Sequence, residues 1–209
     1  MEKQYRNIGF IFFLFIPLTF FGFYKTYFIL SPEFEGSVDI YDHLHASASA
    51  IWLGLLISQP LLIRYGNYAL HRKLGKFSYV IFPILIFSFI PQMIKSFEEG
   101  HSLIHPIFDI VLLLIFYSQA IINKSNTPIH MRYMIAIALI FIGPTLGRIV
   151  GHWFGLSTMM GITIPYGIAN LIILSLISWD KVNNRNYKPY IVASACFIVY
   201  QISLYVVLL

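Results

Sequence analysis

The seven histidines are the residues with the most chemistry to offer. Imidazole nitrogens bind divalent metals and heme iron. His43, His45, His101, His105 and His152 fall at one side of the apolar segments that carry them, and His71 and His130 at the other. Helical spacing sharpens the first group. His45, Ser49, Trp52, Leu56 and Gln59 lie at i, i+4, i+7, i+11 and i+14, so they share one helix face. His101, His105 and Asp109 repeat every fourth residue, and Arg148 and His152 are likewise four apart. Three helices can thus aim polar groups at one pocket. The expected site has His45 as primary ligand, His43 closing it from a loop, and His105 or His152 opposite. Asp109, Arg148, Trp52 and Gln59 stand behind them. As a metal centre the set is His43, His45 and His105; as a redox centre it holds heme b.

Geometry limits this set. His43 and His45 are two apart, about 200° around a helix. Both face one site only if His43 precedes the helix, which the apolar run places near residue 44. An unpaired charge inside a membrane costs roughly 2.5–3.5 kcal/mol on insertion scales. Asp109 and Arg148 are therefore expected to pair, either as a purely structural pair or to orient a ligating histidine. A plainer reading makes Asp42-His43-Leu44-His45 a polar helix entry with Asp42 near the N-cap. His71-Arg72-Lys73 and His130-Met131-Arg132 suit lipid headgroups or a cofactor propionate, and equally plain interfacial anchoring. No H-E-x-x-H or C-x-x-C-H motif occurs, and Cys196 is the single cysteine, so a zinc-peptidase helix, covalent heme and disulfides are excluded.

The elements that position these residues follow from composition. Of 209 residues 58% are hydrophobic and 11% charged, and the mean hydropathy is +0.74. A soluble domain carries about 25% charged residues. Several apolar runs reach the roughly 20 residues that cross a bilayer as helix, and none shows the alternation of a membrane barrel. The expected fold is all-α, one transmembrane domain over 1–209 with about seven spans, at 8–30, 44–63, 77–95, 106–122, 132–152, 160–179 and 189–208. Pro165 and Gly167 are expected to interrupt the sixth, and Pro144 to kink the fifth. Gly143, Gly147 and Gly151 form a small-residue face for close helix approach. Aromatic residues, 17% of the chain, read as interfacial belt and lipid-facing Phe.

Charge orients the spans. With the N-terminus in the cytoplasm, Lys3, Arg6, Arg64, Arg72, Lys73, Lys76, Lys124, Arg132, Lys181, Arg185 and Lys188 all lie inside, 11 of the 14 basic residues. Lys25, Lys95 and Arg148 remain outside, with Glu33, Glu35, Asp39, Asp42, Glu98, Glu99 and Asp109. This bias places the C-terminus outside. The net charge of +5 thus reflects topology, and no nucleic-acid partner is implied. The first apolar run lacks a small-residue cleavage site and reads as a retained span.

In chain order the motifs are GFYKTYF, DHLHASASAIWLGLLISQPLL, LHRKLGKFSY, HPIFDIVLLL, HMRYMIAIALIFIGPTLGR and WDKVNNRNYKPY. This series resembles a group of bacterial polytopic membrane proteins with ordered H-L-H-G, W, Q, H-R-x-L-G, F-D and H-x-R-L-M motifs. The resemblance runs over nearly the whole chain, with Ala46 where the group has Gly. It implies importance for His43, His45, Trp52, Gln59, His71, Arg72, Asp109, His130, Arg132 and Arg148; His101, His105 and His152 lie outside its pattern. The group has no assigned activity.

Three functions suit these residues. One is a b-type-cytochrome-like or metal-binding redox protein of the bacterial inner membrane, with heme b or a divalent metal at the outer pocket. A second is a metal-dependent membrane hydrolase with Asp109 as base; it resembles seven-span ceramidase and adiponectin-receptor enzymes in span count, but the last span lacks their His-x-x-x-His. The third is a non-catalytic carrier or assembly factor for a small-molecule or quinone-like ligand, with Asn170 in a broken sixth span.

Overall fold

The computed structural model describes residues 2, 5–34, 38–100 and 102–208, all of them helix, turn or coil and none strand. Lys3, Glu35 and His101, named above, lie outside these residues. The helices are α1 (Ile8–Phe12), α2 (Phe15–Phe23), α3 (Ile40–Arg64), α4 (Tyr68–Glu98), α5 (Ile104–Ile122), α6 (Thr127–Ile140), α7 (Ile142–His152), α8 (Thr158–Val182) and α9 (Lys188–Leu208). Six segments among the described residues are long and apolar enough to cross a membrane: α3, α4, α5, α6 with α7, α8 and α9. A shorter apolar segment covers Ile8–Phe23. The fold is therefore an all-α multi-pass membrane protein.

Prolines explain two breaks. Pro17 has no N–H for the Phe13 carbonyl, and its ring crowds that oxygen. Phe13 instead accepts from the Ile16 N–H at 3.0 Å, and the helix divides into α1 and α2. The single first span expected over 8–30 is thus two short helices and a 3-10 turn at Phe28–Leu30. Pro144 acts alike on Ile140, and the chain breaks at Phe141. The Thr145 hydroxyl then serves the carbonyls around the break, at 2.7 Å from Phe141 O and 3.1 Å from Ile142 O.

The interruption expected at Pro165 does not occur, since α8 runs unbroken through it. Pro165 leaves the Gly161 carbonyl without its helical donor. That oxygen faces Gly147 of α7, where an added Cβ would stand 3.0 Å away. Gly143 faces the Tyr166 hydroxyl, 2.7 Å from where its Cβ would be, whereas Gly151 meets nothing within 4 Å. Two of the three stripe glycines therefore hold α7 against α8. Gly147→Ala and Gly143→Ala are expected to lower the detergent melting temperature, and Gly151→Ala to leave it unchanged apart from the small helix-propensity gain. Equal effects at all three would show that the stripe does not set the packing.

The chain forms two compact units, Met1–Phe20 with Tyr24–Pro106, and Phe21–Phe23 with Ile107–Leu209. The core of the first is the α3–α4 hairpin, turned at Gly66 with φ +74. As α3 runs forward from His45 to Trp52 to Gln59, its neighbours on α4 run back through Ser88, Phe82 and Gly75. The slim Gly9 lets α1 close on Leu61 of α3, and Arg64 binds the Asn7 side chain. In the second unit Phe116, Ala136, Ile137, Ala138, Ile173 and Phe197 are fully buried.

Candidate functional site

α3 begins earlier than its apolar run. Asp39 caps it, accepting from the Tyr41 and Asp42 amides at 2.7 and 3.0 Å, and Asp42 returns a bond to the Asp39 amide at 2.9 Å. This reciprocal capping box makes Asp39 the N-cap, in place of Asp42, and fixes Ile40 as the first helical residue. His43 therefore lies inside the helix and not in the loop before it, so it diverges from His45. His43 Nδ1 takes the Tyr27 hydroxyl at 2.6 Å, and Phe34 meets its ring edge-on. His45 turns to α4, where Nδ1 lies 2.9 Å from Ser88 Oγ. Ser88 spends its only proton on the Leu85 carbonyl at 2.6 Å, so His45 must donate from Nδ1. Its Nε2 then faces Ser49 Oγ at 3.5 Å.

Behind His45, Trp52 is buried against Phe82, and Gln59 lies half-buried beside Gly75. Asp42 pairs with Lys95 at 3.3 Å. This stripe is the packing face of a helical hairpin. Among the described residues no three His, Cys, Asp or Glu side chains group in a way that could hold a metal ion. His43, His45 and His105 do not fit a metal centre in this arrangement.

Asp109 has other partners than the expected one. Tyr166 of α8 donates its hydroxyl to Asp109 Oδ1 at 3.4 Å, and Tyr200 of α9 also hydrogen-bonds the carboxyl. Both tyrosines are almost wholly buried, 2% and 0% exposed. Their rings meet edge-on at 4.6 Å, and Phe108 stacks on Tyr200 at 4.8 Å. Arg148 is occupied elsewhere: Nη1 donates to the Pro144 carbonyl at 3.1 Å, and the guanidinium lies 4.2 Å over the Phe23 ring. The expected Asp109–Arg148 ion pair is thus absent, because Arg148 is held by the carbonyl one turn before it on its own helix and by the π face of Phe23. His105 is half-buried at the start of α5, and His152 is exposed at the end of α7.

A second polar network continues along α8 and α9. Asn170 Nδ2 donates to Gln201 Oε1 at 3.2 Å, and Gln201 Nε2 donates to Tyr205 Oη at 3.0 Å. Thr163 gives its proton to the Met159 carbonyl at 2.8 Å, so the 2.7 Å contact between Thr163 and Tyr205 has Tyr205 as donor. The chain of donors therefore runs one way, from Asn170 to Met159. Asn170 Oδ1 is buried without a partner. Thr163, Tyr166 and Asn170 share one face of α8 over seven residues, roughly 10 Å of a 30 Å hydrocarbon core.

At the opposite end, Arg132 and Asp180 form a fully buried pair, with Nε to Oδ2 at 2.7 Å and both side chains 0% exposed. Arg132 Nη1 also donates to Pro128 O at 2.9 Å, and Arg185 Nη1 stands 3.9 Å from the second Asp180 oxygen. His130 Nδ1 lies 2.8 Å from the Ala120 carbonyl, which can only accept, so this nitrogen carries the proton. His130 and Arg132 thus act as fasteners of α6, while His71 is half-buried and Arg72 exposed on α4. Tyr166, Tyr200 and Asp180 are the residues that motif reading misses. Their signal is position: two tyrosines far from either end of a span, and one acid among helix ends rich in Lys and Arg.

No protein-family model, curated protein or solved structure matches the chain.

Proposed function

We propose that the protein is a non-enzymatic, proton-linked carrier of the bacterial inner membrane, with Asp109 as its proton-exchange site. One observation carries this reading: a carboxyl inside a membrane span bonded to two phenols and to no cation among the described residues. Ionisable groups within spans are costly and mark proton relays and ion pathways. A phenol both donates and accepts, so Tyr166 and Tyr200 keep their bonds whether Asp109 holds the proton or releases it. The α8–α9 network supplies a polar face beside the carboxyl, with Asn170 Oδ1 as an unused acceptor for a small polar solute. A heme or metal redox centre and a metal-dependent hydrolase both draw support from the histidine spacing alone. For the hydrolase, no three His, Cys, Asp or Glu side chains among the described residues group as a metal site needs.

Infrared difference spectroscopy in lipid tests the exchange. As external pH changes, the wild type should show the carbonyl stretch of one protonated carboxyl appear or vanish. Asp109→Asn should remove that change, and Tyr166→Phe should shift its frequency. If the pH-dependent carboxyl bands of wild type and Asp109→Asn coincide, Asp109 does not exchange a proton and the reading fails.

A further inference from the structure

An open cavity of about 210 Å³ lies in the second unit, lined by Gln119, Asn123, Tyr133, Asn186, Lys188 and the apolar Ile129, Pro189 and Val192. These residues belong to the last turn of α5 and the turn after it, the first two turns of α6 and the entry and first turns of α9. The cavity therefore sits at helix ends rich in Lys and Arg, the side that the charge bias assigns to the cytoplasm. Its chemistry is one-sided. The lining offers amide, phenol and ammonium donors, and no carboxylate is among it. Asn186 uses its carbonyl oxygen to accept the Lys188 amide at 3.2 Å, which leaves its NH2 to donate. Asn123 gives one proton to the Gln119 carbonyl at 2.8 Å.

Tyr133 is the telling residue. It is only 7% exposed, yet its hydroxyl has no hydrogen-bond partner among the described residues while it lines the cavity. The ring is buried but the hydroxyl itself is not, so it opens onto the cavity and can donate to a ligand there. Lys188 and Gln119 bond through their backbones, and their side chains have no hydrogen-bond partner among those residues. Ammonium, phenol and amide donors converging without any acid are the complement of a phosphate group, and the apolar floor of Ile129 and Val192 suits the carbon skeleton attached to it. We infer that this cavity binds a phosphate-bearing anion through Lys188, Tyr133, Gln119 and Asn186. The anion is either the headgroup of an anionic phospholipid or a soluble phosphate compound. This site is separate from Asp109 and does not rest on the carrier reading.

Binding can be read on the whole protein in neutral detergent, by native mass spectrometry and by melting temperature. The probes are phosphatidylglycerol, zwitterionic phosphatidylcholine and inorganic phosphate. Phosphatidylglycerol should bind saturably and more tightly than phosphatidylcholine. Lys188→Gln should weaken it about tenfold, the loss of one charge-assisted bond. Tyr133→Phe, which keeps the ring and its packing, should weaken it by a smaller factor without lowering the ligand-free melting temperature. Competition by inorganic phosphate assigns the site to a soluble phosphate, and its failure to compete assigns it to the lipid headgroup; both support the inference. Equal binding of the two lipids with no effect of phosphate, or unchanged affinities in both variants, overturns it.

Discussion

Asp180→Asn is expected to be among the most damaging single substitutions in the chain, costing about 3–5 kcal/mol of stability. The carboxylate it removes is fully buried and faces two guanidiniums, Arg132 at 2.7 Å and Arg185 at 3.9 Å. Neutralising Asp180 removes the anion facing Arg132, which is itself 0% exposed and whose other contacts include the uncharged Pro128 carbonyl and the Tyr190 ring, 5.8 Å away. Arg132→Gln should cost less, because Arg185 is already placed to neutralise Asp180. Replacing both members by apolar residues, Arg132→Met with Asp180→Leu, should recover most of the loss, since the fully buried charges are gone and Arg185, 15% exposed, can turn to solvent. Melting temperatures of the four proteins in one detergent decide it. Equal single losses that add in the double variant would show that the two residues are not coupled.

The pair also shows what a sequence of this kind discloses. Long apolar runs and the placement of Lys and Arg make the spans readable, because a bilayer forces both patterns. Helix ends are less legible. The start of α3 depends on Asp39 and Asp42 capping each other, a local device that outreaches the apolar run and carries His43 into the helix. Pro144 is readable as a kink, yet the sequence does not show that Arg148 folds back onto the carbonyl one turn before it on its own helix. Pairing Asp109 with Arg148 from shared depth alone overlooks that phenols can serve a carboxyl. Tyr166 and Tyr200 look like belt aromatics in composition, and only their distance from the span ends separates them. Gly143 is legible as a small residue, but its use, making room for the Tyr166 hydroxyl, requires the register of α7 on α8.

Asp109→Asn is expected to abolish proton movement while leaving the protein folded. The substitution keeps size and hydrogen-bonding capacity, so Tyr166 and Tyr200 retain a partner, but an amide cannot take up and release the proton. Asp109→Glu should keep part of the activity, since the carboxyl survives at a longer reach. Arg148→Gln should leave flux near the wild-type rate, because Arg148 touches Pro144 O and Phe23 and not the carboxyl. Proton exchange at Asp109 is read with purified protein in vesicles that hold a pH-sensitive dye, driven by a potassium diffusion potential. Proton entry should run well above that of empty vesicles for the wild type, and at the empty-vesicle rate for Asp109→Asn. Wild-type vesicles no faster than empty ones, or Asp109→Asn as fast as the wild type, would contradict it.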